Sequence, residues 1–136
     1  MVVVEGAHAF KHAARFGADF VDVRTDDKRA AIALMRRIAT DADVQTVARM
    51  AREVDTATFH ACATPAVRTG IVALATKPHE DRARLCATDA PIIVIEDVRD
   101  INNAGAVVRV AAAWGAAGVV YCGTMSPWHV AAVRAG

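Results

Sequence analysis

The chain has 136 residues, of which 54% are hydrophobic and 23% charged, proportions typical of a folded globular protein rather than a disordered one. This length suffices for one ordinary domain, or for one small domain and part of another. The net charge is only +1, so overall charge does not indicate a nucleic-acid-binding protein, and such a role must depend on local basic patches.

The three cysteines are odd in number and form no Cys-x-x-Cys pair. This pattern argues against a disulfide framework or a zinc site and is typical of a reducing cytoplasm. The first residues lack the features of a signal peptide, and no apolar run reaches the ~18–20 residues of a membrane span. We therefore expect a cytoplasmic protein without a membrane partner.

The front half of the chain predicts alternating strands and helices, which favour an α/β fold with a parallel or mixed sheet. Strands are predicted at residues 2–4, 20–24, 56–60 and 69–76, and helices at residues 7–16, 27–38 and 44–52. A dense polar stretch with a proline follows at residues 77–82. We place the domain boundary in the region from residue 77 to residue 90, with a first domain over residues 1–85 and a second over residues 86–136.

The back half predicts one β-α-β unit and a final helix. Residues 92–95 are continuously β-branched, which is typical of a strand covered on both faces. Asp100, Asn102 and Asn103 supply cap and turn chemistry before an apolar helix that ends near residue 114, and residues 119–122 form the second strand. Pro127 is expected to open the last helix, with Ser126 as its cap.

Arg109 is the principal candidate for chemistry, because it is the one charged residue in an apolar helix. From its predicted place, one turn into that helix, it can reach the crevice where open α/β sheets bind ligands. A guanidinium keeps its proton in proteins and is therefore a poor general base. Its expected role is to bind a phosphate and orient a hydroxyl. The alternative is a structural ion pair with Glu96, Asp97 or Asp100.

A basic face on the first helix is the candidate for nucleic-acid contact in the front half. Its members share helical spacing and are His8, Lys11, His12 and Arg15. The alternative is a solvated helix face. Arg68, in the loop before the strand at 69–76, is a second candidate. His8 and His12 lack an acidic partner, so we expect no metal site.

The back-half motif resembles the first signature of the SpoU/TrmH family of knotted (SPOUT) RNA 2′-O-ribose methyltransferases. Its matching positions are Asp100, Asn103, Gly105, Arg109, Ala111, Trp114 and Gly115. Ile101 stands where the family usually has proline, a change that removes no chemical group. In the front half, residues 4–6 resemble the opening of the family's small ribosomal-protein-like domain, and residues 64–73 resemble a strand entry in the same domain.

The resemblance covers the whole chain and implies an α/β fold in which a ribosomal-protein-like substrate-binding domain precedes the first β-α-β part of a trefoil-knot domain. It implies S-adenosyl-L-methionine as cofactor, ribosomal or transfer RNA as substrate, a homodimer, and catalytic roles for Arg109 and Asn103. The family's cofactor motifs would lie downstream of Gly136, so we interpret the chain as truncated before them. A non-enzymatic RNA-binding module or inactive methyltransferase fragment is the main alternative, and a nucleotide-binding α/β protein of another family is a remote one.

Overall fold

Two separate sheets organise this computed structural model, which describes residues 1–65 and 70–136. One sheet belongs to the unit Met1–Lys77 and the other to the unit Pro78–Gly136. The observed α/β class agrees with the sequence prediction. The chain divides between Lys77 and Pro78, within the boundary region expected over residues 77–90 but before the limit set at residue 85. Leu85 belongs to the second unit, where it lies close to Gly118.

The first unit has a mixed four-stranded sheet with helices packed on it. Its strands are β1 (Val2–Glu5), β2 (Phe20–Thr25), β3 (Ala51–Glu53) and β4 (Val72–Ala75). The spatial order is β1-β4-β2-β3, in which β4 is antiparallel to both neighbours and β2 is parallel to β3. Its helices are α1 (Ala7–Arg15), α2 (Lys28–Ile38), α3 (Asp41–Met50) and α4 (Thr56–Cys62).

The core of this unit is built from apolar side chains that recur at helical or strand spacing. Phe10 of α1, Met35 of α2 and Phe59 of α4 are fully buried, and the ring of Phe10 stacks on that of Phe20 with centroids 4.4 Å apart. Burial of each such side chain contributes roughly 1.5–3 kcal/mol. The helices predicted over residues 7–16 and 27–38 are confirmed. Asp27 caps α2 by accepting a hydrogen bond from the N–H of Ala30.

The prediction of a strand at residues 56–60 is wrong, because this segment is helix α4. Asp55 accepts hydrogen bonds from the N–H of Thr58 at 2.9 Å and from its hydroxyl at 2.6 Å. These bonds hold the pKa of the Asp55 carboxyl below its usual value. A side chain that satisfies the free N–H groups of a first turn favours a helix over the strand that local β-propensity suggests.

The predicted helix at residues 44–52 begins earlier and ends earlier. Thr40 and Asp43 form a reciprocal capping box that starts α3 at Asp41. The segment from Ala51 leaves the helix and pairs with β2 as strand β3, in the register Val23–Ala51. Tertiary pairing thus overrides the helical pattern at the end of this segment.

The second unit has a two-stranded parallel sheet joined by a helix, which confirms the predicted β-α-β connection. Its elements are α5 (Arg82–Cys86), β5 (Ile92–Glu96), α6 (Ile101–Ala113), β6 (Gly118–Cys122) and α7 (Val130–Ala135). Helix α5 was not predicted. It lies where a polar linker was expected, and Asp81 caps it through the N–H of Arg84.

Two further expectations for this unit are corrected. Ile95 is buried, but Val94 on the opposite face of β5 is 63% exposed, so the described residues cover only one face of that strand. The last helix begins at Val130 rather than Pro127, and the ring of His129 caps it by accepting from the N–H of Ala131. Ser126 instead closes the preceding turn by accepting from the N–H of Trp128. No helix among the described residues has both the length and the apolar character needed to span a membrane.

Candidate functional site

The carboxyl ends of β5 and β6 are tied together where ligands bind in open α/β sheets. The N–H of Asp97, the first residue after β5, donates to the carbonyl of Cys122 at 2.9 Å. Asp97 has a φ of 44°, a left-handed conformation that is uncommon outside glycine. Gly123, the first residue after β6, lies close to Asp97, and a Cβ added to this glycine would be 3.3 Å from Asp97 Oδ1. No pattern in the sequence predicts this left-handed residue at the corner.

The first turn of α6 is held by Asp100 and not by Asn103. The carboxylate of Asp100 accepts from the backbone N–H and from the side-chain amide of Asn102, both at 2.9 Å. Asn103 lies inside the helix with an exposed side chain that makes no hydrogen bond within residues 1–65 and 70–136. The interpretation of Asn103 as a plain helix cap is therefore wrong, and its amide is available to a ligand.

Gly105, the motif glycine, has a packing role. It is buried, and a Cβ placed there would lie 2.8 Å from both the Cβ of Ala135 and the backbone nitrogen of Gly136. Contacts this short do not occur in real structures, so only glycine lets α6 approach α7 this closely. This part of the motif positions the helix that carries Arg109.

Arg109 is exposed and lies deeper in α6 than expected, more than two turns from the start instead of one. At 1.5 Å per residue it is about 12 Å along the axis from Ile101. Among the described residues its guanidinium makes no ion pair or hydrogen bond, so the alternative of an ion pair with Glu96, Asp97 or Asp100 is not observed. The charge is therefore open to an external anion.

Helix geometry does not bring Asn103 and Arg109 onto one face. They are six residues apart, which at 3.6 residues per turn separates them by about 120° around the axis and about 9 Å along it. They can meet a common ligand only if that ligand is extended, as a nucleic-acid strand is. Next to Arg109, the apolar side chains of Val108 and Val110 are also exposed.

The basic face of α1 is present as predicted from the spacing. His8, His12 and Arg15 are exposed and Lys11 is half-buried. The Arg15 guanidinium lies 6.0 Å from the centroid of the Phe16 ring, within cation–π range. Arg68, the remaining candidate, lies outside the residues that the structure describes. The described residues contain no group of three or more metal-ligating side chains that could hold a metal ion.

The two front-half segments that carry the family resemblance meet in the structure. Glu5 is 2% exposed, and its carboxylate accepts from the N–H of Thr64 at 2.7 Å and from the hydroxyl of Thr64 at 2.6 Å. A buried carboxylate is stable only when its oxygens are hydrogen-bonded, so this contact fixes the turn at Thr64 against β1.

A second polar contact lies on the sheet of the same unit. Arg24 donates to Asp22 at 2.8 Å and to the thiol of Cys62 at 3.2 Å. The hydrogen bond to Asp22 is the main reason that the pKa of Arg24 is raised further above its already high value.

Other proteins of known structure share this architecture. No family model and no curated protein matches the sequence, but solved structures match over 98% of it. The SpoU methyltransferase AviRb from Streptomyces viridochromogenes, in complex with AdoMet, superposes with a TM-score of 0.73 at 18% identity. An RNA 2′-O ribose methyltransferase does so with a TM-score of 0.64 at 25% identity. The chain has the SpoU methyltransferase fold.

A third SpoU-type match is the AdoMet-bound rRNA methyltransferase from Sinorhizobium meliloti, with a TM-score of 0.56 at 19% identity. In all three comparisons the match covers 98% of this chain and 49% of the other, so the chain spans about half the length of the SpoU structures that it resembles. The resemblance to the SpoU/TrmH family stated from the motif around Arg109 is confirmed.

Proposed function

We propose that this protein acts in the S-adenosyl-L-methionine-dependent 2′-O-ribose methylation of ribosomal or transfer RNA, and that this chain carries the RNA-binding domain and the first catalytic motif. The observation that carries the proposal is the match of the whole chain, including the Asn103–Arg109 helix, to SpoU structures, one of which is an RNA 2′-O ribose methyltransferase. A cytoplasmic homodimer belongs to the same proposal. The exposed apolar side chains of Val108, Val110 and Trp114 on and beside α6 support an interface near Arg109.

Arg109 is proposed to hold the phosphate next to the target nucleotide and to orient the ribose 2′-hydroxyl. Its exposure, and the absence of an ion pair to it among the described residues, support this role. A guanidinium stays protonated at any physiological pH, so it stabilises the oxygen that develops negative charge instead of removing the proton. Asn103 is proposed to contact the same strand through its exposed amide, six residues nearer the start of α6.

The first unit is proposed to bind the RNA outside the reacting nucleotide. Lys11 and Arg15 supply full positive charges on the exposed face of α1, and His8 and His12 flank them. Arg68 is proposed to join them. Phosphate contacts of this kind position a nucleic acid without reading its sequence.

The methyl group is proposed to come from S-adenosyl-L-methionine, whose sulfonium supplies an activated methyl carbon. The residues around Arg109 do not by themselves fit that cofactor, because Val108, Arg109 and Val110 are all exposed and so do not enclose a nucleoside. This observation favours one second candidate, a non-enzymatic RNA-binding module with the SpoU fold.

The two candidates are separated by an assay of labelled methyl transfer from S-adenosyl-L-methionine to RNA, using the protein as its gene produces it. Arg109→Ala should lower the rate by on the order of 10²-fold or more, because the phosphate and hydroxyl lose their orienting group. Arg109→Lys should restore part of the loss, and Arg84→Ala, an exposed arginine on α5, serves as the control with unchanged activity.

Two outcomes would count against the enzyme. A rate unaffected by Arg109→Ala would remove Arg109 from the mechanism. RNA binding with no methyl transfer by the wild-type protein would favour the binding module. A melting curve of each variant shows whether the fold is retained.

A further inference from the structure

An open groove of about 490 Å³ lies between α2 and the end of β3, and none of its lining residues belongs to α1. It is lined by Lys28, Arg29, Ile32, Ala33, Arg36 and Glu53. Residues 28, 29, 32 and 36 of α2 recur at three- and four-residue intervals. One face of α2 therefore forms the wall of the groove.

The groove carries an excess of positive charge. Three of its side chains are cationic and one is a carboxylate, and within the described parts of the chain none of the three cations forms an ion pair. Glu53 is already engaged, because its Oε2 accepts from the backbone N–H of Lys28 at 2.8 Å. With three cations and one carboxylate, the groove keeps a net excess of two positive charges, which an anion from outside the chain can meet.

Two of these cations stand where the fold itself disfavours them. Lys28 and Arg29 occupy the first turn of α2, directly after the cap Asp27. The N-terminus of a helix carries a partial positive charge, which favours Asp or Glu there and disfavours Lys or Arg. Arg36, in the last turn, has a favourable interaction with the dipole, but Lys28 and Arg29 have none. Folding alone gives no reason for this pair of residues.

The spacing of the cations fits an extended polyanion better than a single phosphate. Lys28 and Arg36 are eight residues apart on the helix, which is about 12 Å along its axis. One phosphate cannot contact both ends of the groove over this distance, whereas a nucleic-acid strand carries one phosphate per nucleotide along its length. Between the charges, Ile32 and Ala33 give an apolar floor on which riboses or bases can lie.

We propose that this groove binds the phosphodiester backbone of RNA, with Lys28 and Arg29 at one end and Arg36 at the other. The inference rests on the proposed function, because it assigns a second contact surface for the same RNA. It predicts that the RNA extends over α2 as well as over the basic face of α1.

The test measures binding of a fluorescent ribosomal RNA hairpin to the 136-residue chain by anisotropy at several salt concentrations. The double variant Lys28→Gln, Arg29→Gln should bind more weakly and should flatten the slope of log affinity against log salt by about one to two units. Its melting temperature should be equal to or higher than that of the wild type, because two cations leave a helix N-terminus. The control variant Arg82→Gln, Arg84→Gln removes the same charge from α5 and should leave the slope unchanged.

Each other outcome overturns the inference. An unchanged slope in the α2 variant, combined with a reduced slope in Lys11→Ala, Arg15→Ala, would confine RNA contact to α1 and would leave the proposed function standing. An equal loss of RNA affinity in the α5 control would mean that the effect comes from the net charge of the chain and not from the groove. Displacement of RNA by polyglutamate at equal charge concentration would mean that the groove accepts any polyanion, acidic proteins included. Absence of RNA binding by the wild type would remove the groove as an RNA site, while the methyl-transfer assay decides the enzyme separately.

Discussion

Asp100 and Asn103 are polar neighbours in the first turn of α6, but the structure gives them different tasks. Asp100 holds the helix start through the N–H of Asn102, whereas the Asn103 amide makes no hydrogen bond within the described residues. Substitution of Asp100 should therefore lower stability, whereas substitution of Asn103 should lower activity.

Asp100→Ala should lower the free energy of unfolding by about 1 kcal/mol, the usual cost of a lost N-cap. Asn103→Ala should leave stability nearly unchanged and should reduce methyl transfer. Thermal melting alongside the transfer assay measures both effects. If Asn103→Ala destabilised the protein as much as Asp100→Ala, its proposed role in ligand contact would lose its support.

Residue identity predicted which side chains would be exposed better than it predicted their place in the helix. Arg109 was singled out because it is the one charged residue in an apolar helix. The structure shows it exposed and unpaired within the described residues. Its depth in the helix was misjudged because Asp100, Asn102 and Asn103 all have cap chemistry, and the sequence does not say which of them begins the helix.

At the scale of elements, the approach of α6 to α7 depends on Gly105. Alanine normally stabilises a helix by up to about 1 kcal/mol relative to glycine. Gly105→Ala should do the opposite and destabilise the protein by about 1–3 kcal/mol, because the new methyl would overlap Ala135 and the backbone of α7.

The matched control for that change is Ala112→Gly at an exposed position of the same helix, which should lose only helix propensity. Melting curves and hydrogen exchange at the amides of α7 measure the difference. Stabilisation by Gly105→Ala would show that the two helices do not pack as closely as described.

The basic face of α1 is the second element with a testable role. Lys11→Ala, Arg15→Ala should weaken RNA binding across sequences and flatten the salt dependence by about one to two units, because two phosphate contacts are lost. Fluorescence anisotropy on a ribosomal RNA hairpin measures the slope. If the slope did not change, the face would be a solvated surface with no part in RNA binding.

Elements with a strong local pattern were predicted, and those that depend on distant partners were not. Strand β5, helix α2 and the connection through α6 follow from β-branched or amphipathic runs with clear ends. Strand β3 was hidden in a helical pattern because it forms by pairing with β2, a partner distant in sequence. Helix α4 was read as a strand because its cap, Asp55, acts through hydrogen bonds that outweigh weak local propensity.

At the scale of the whole molecule, the fold class, the division into two units and the SpoU resemblance were all accessible from the sequence. The exposure of β5 was not, because continuous β-branched runs are typical of strands covered on both faces.

The 136-residue chain by itself should not bind S-adenosyl-L-methionine measurably, since the residues around Arg109 are exposed and enclose no cleft. Isothermal titration calorimetry tests this directly, and the longer SpoU protein AviRb, whose structure contains AdoMet, is a suitable positive control. Micromolar binding to this chain would mean that the cofactor is held by residues described here.

The position of β4 also sets the order in which the first unit can fold. This strand lies between β1 and β2, yet it is the last strand of its sheet to be synthesised, and Val2 pairs with Ala75. Until β4 leaves the ribosome, β1 has no partner in the sheet and the buried Glu5 lies 59 residues from Thr64. Closing so long a loop must precede the contacts that reward it, which raises contact order and slows folding. The nascent first unit should therefore expose its β1 and β2 edges to chaperones until translation has passed residue 75.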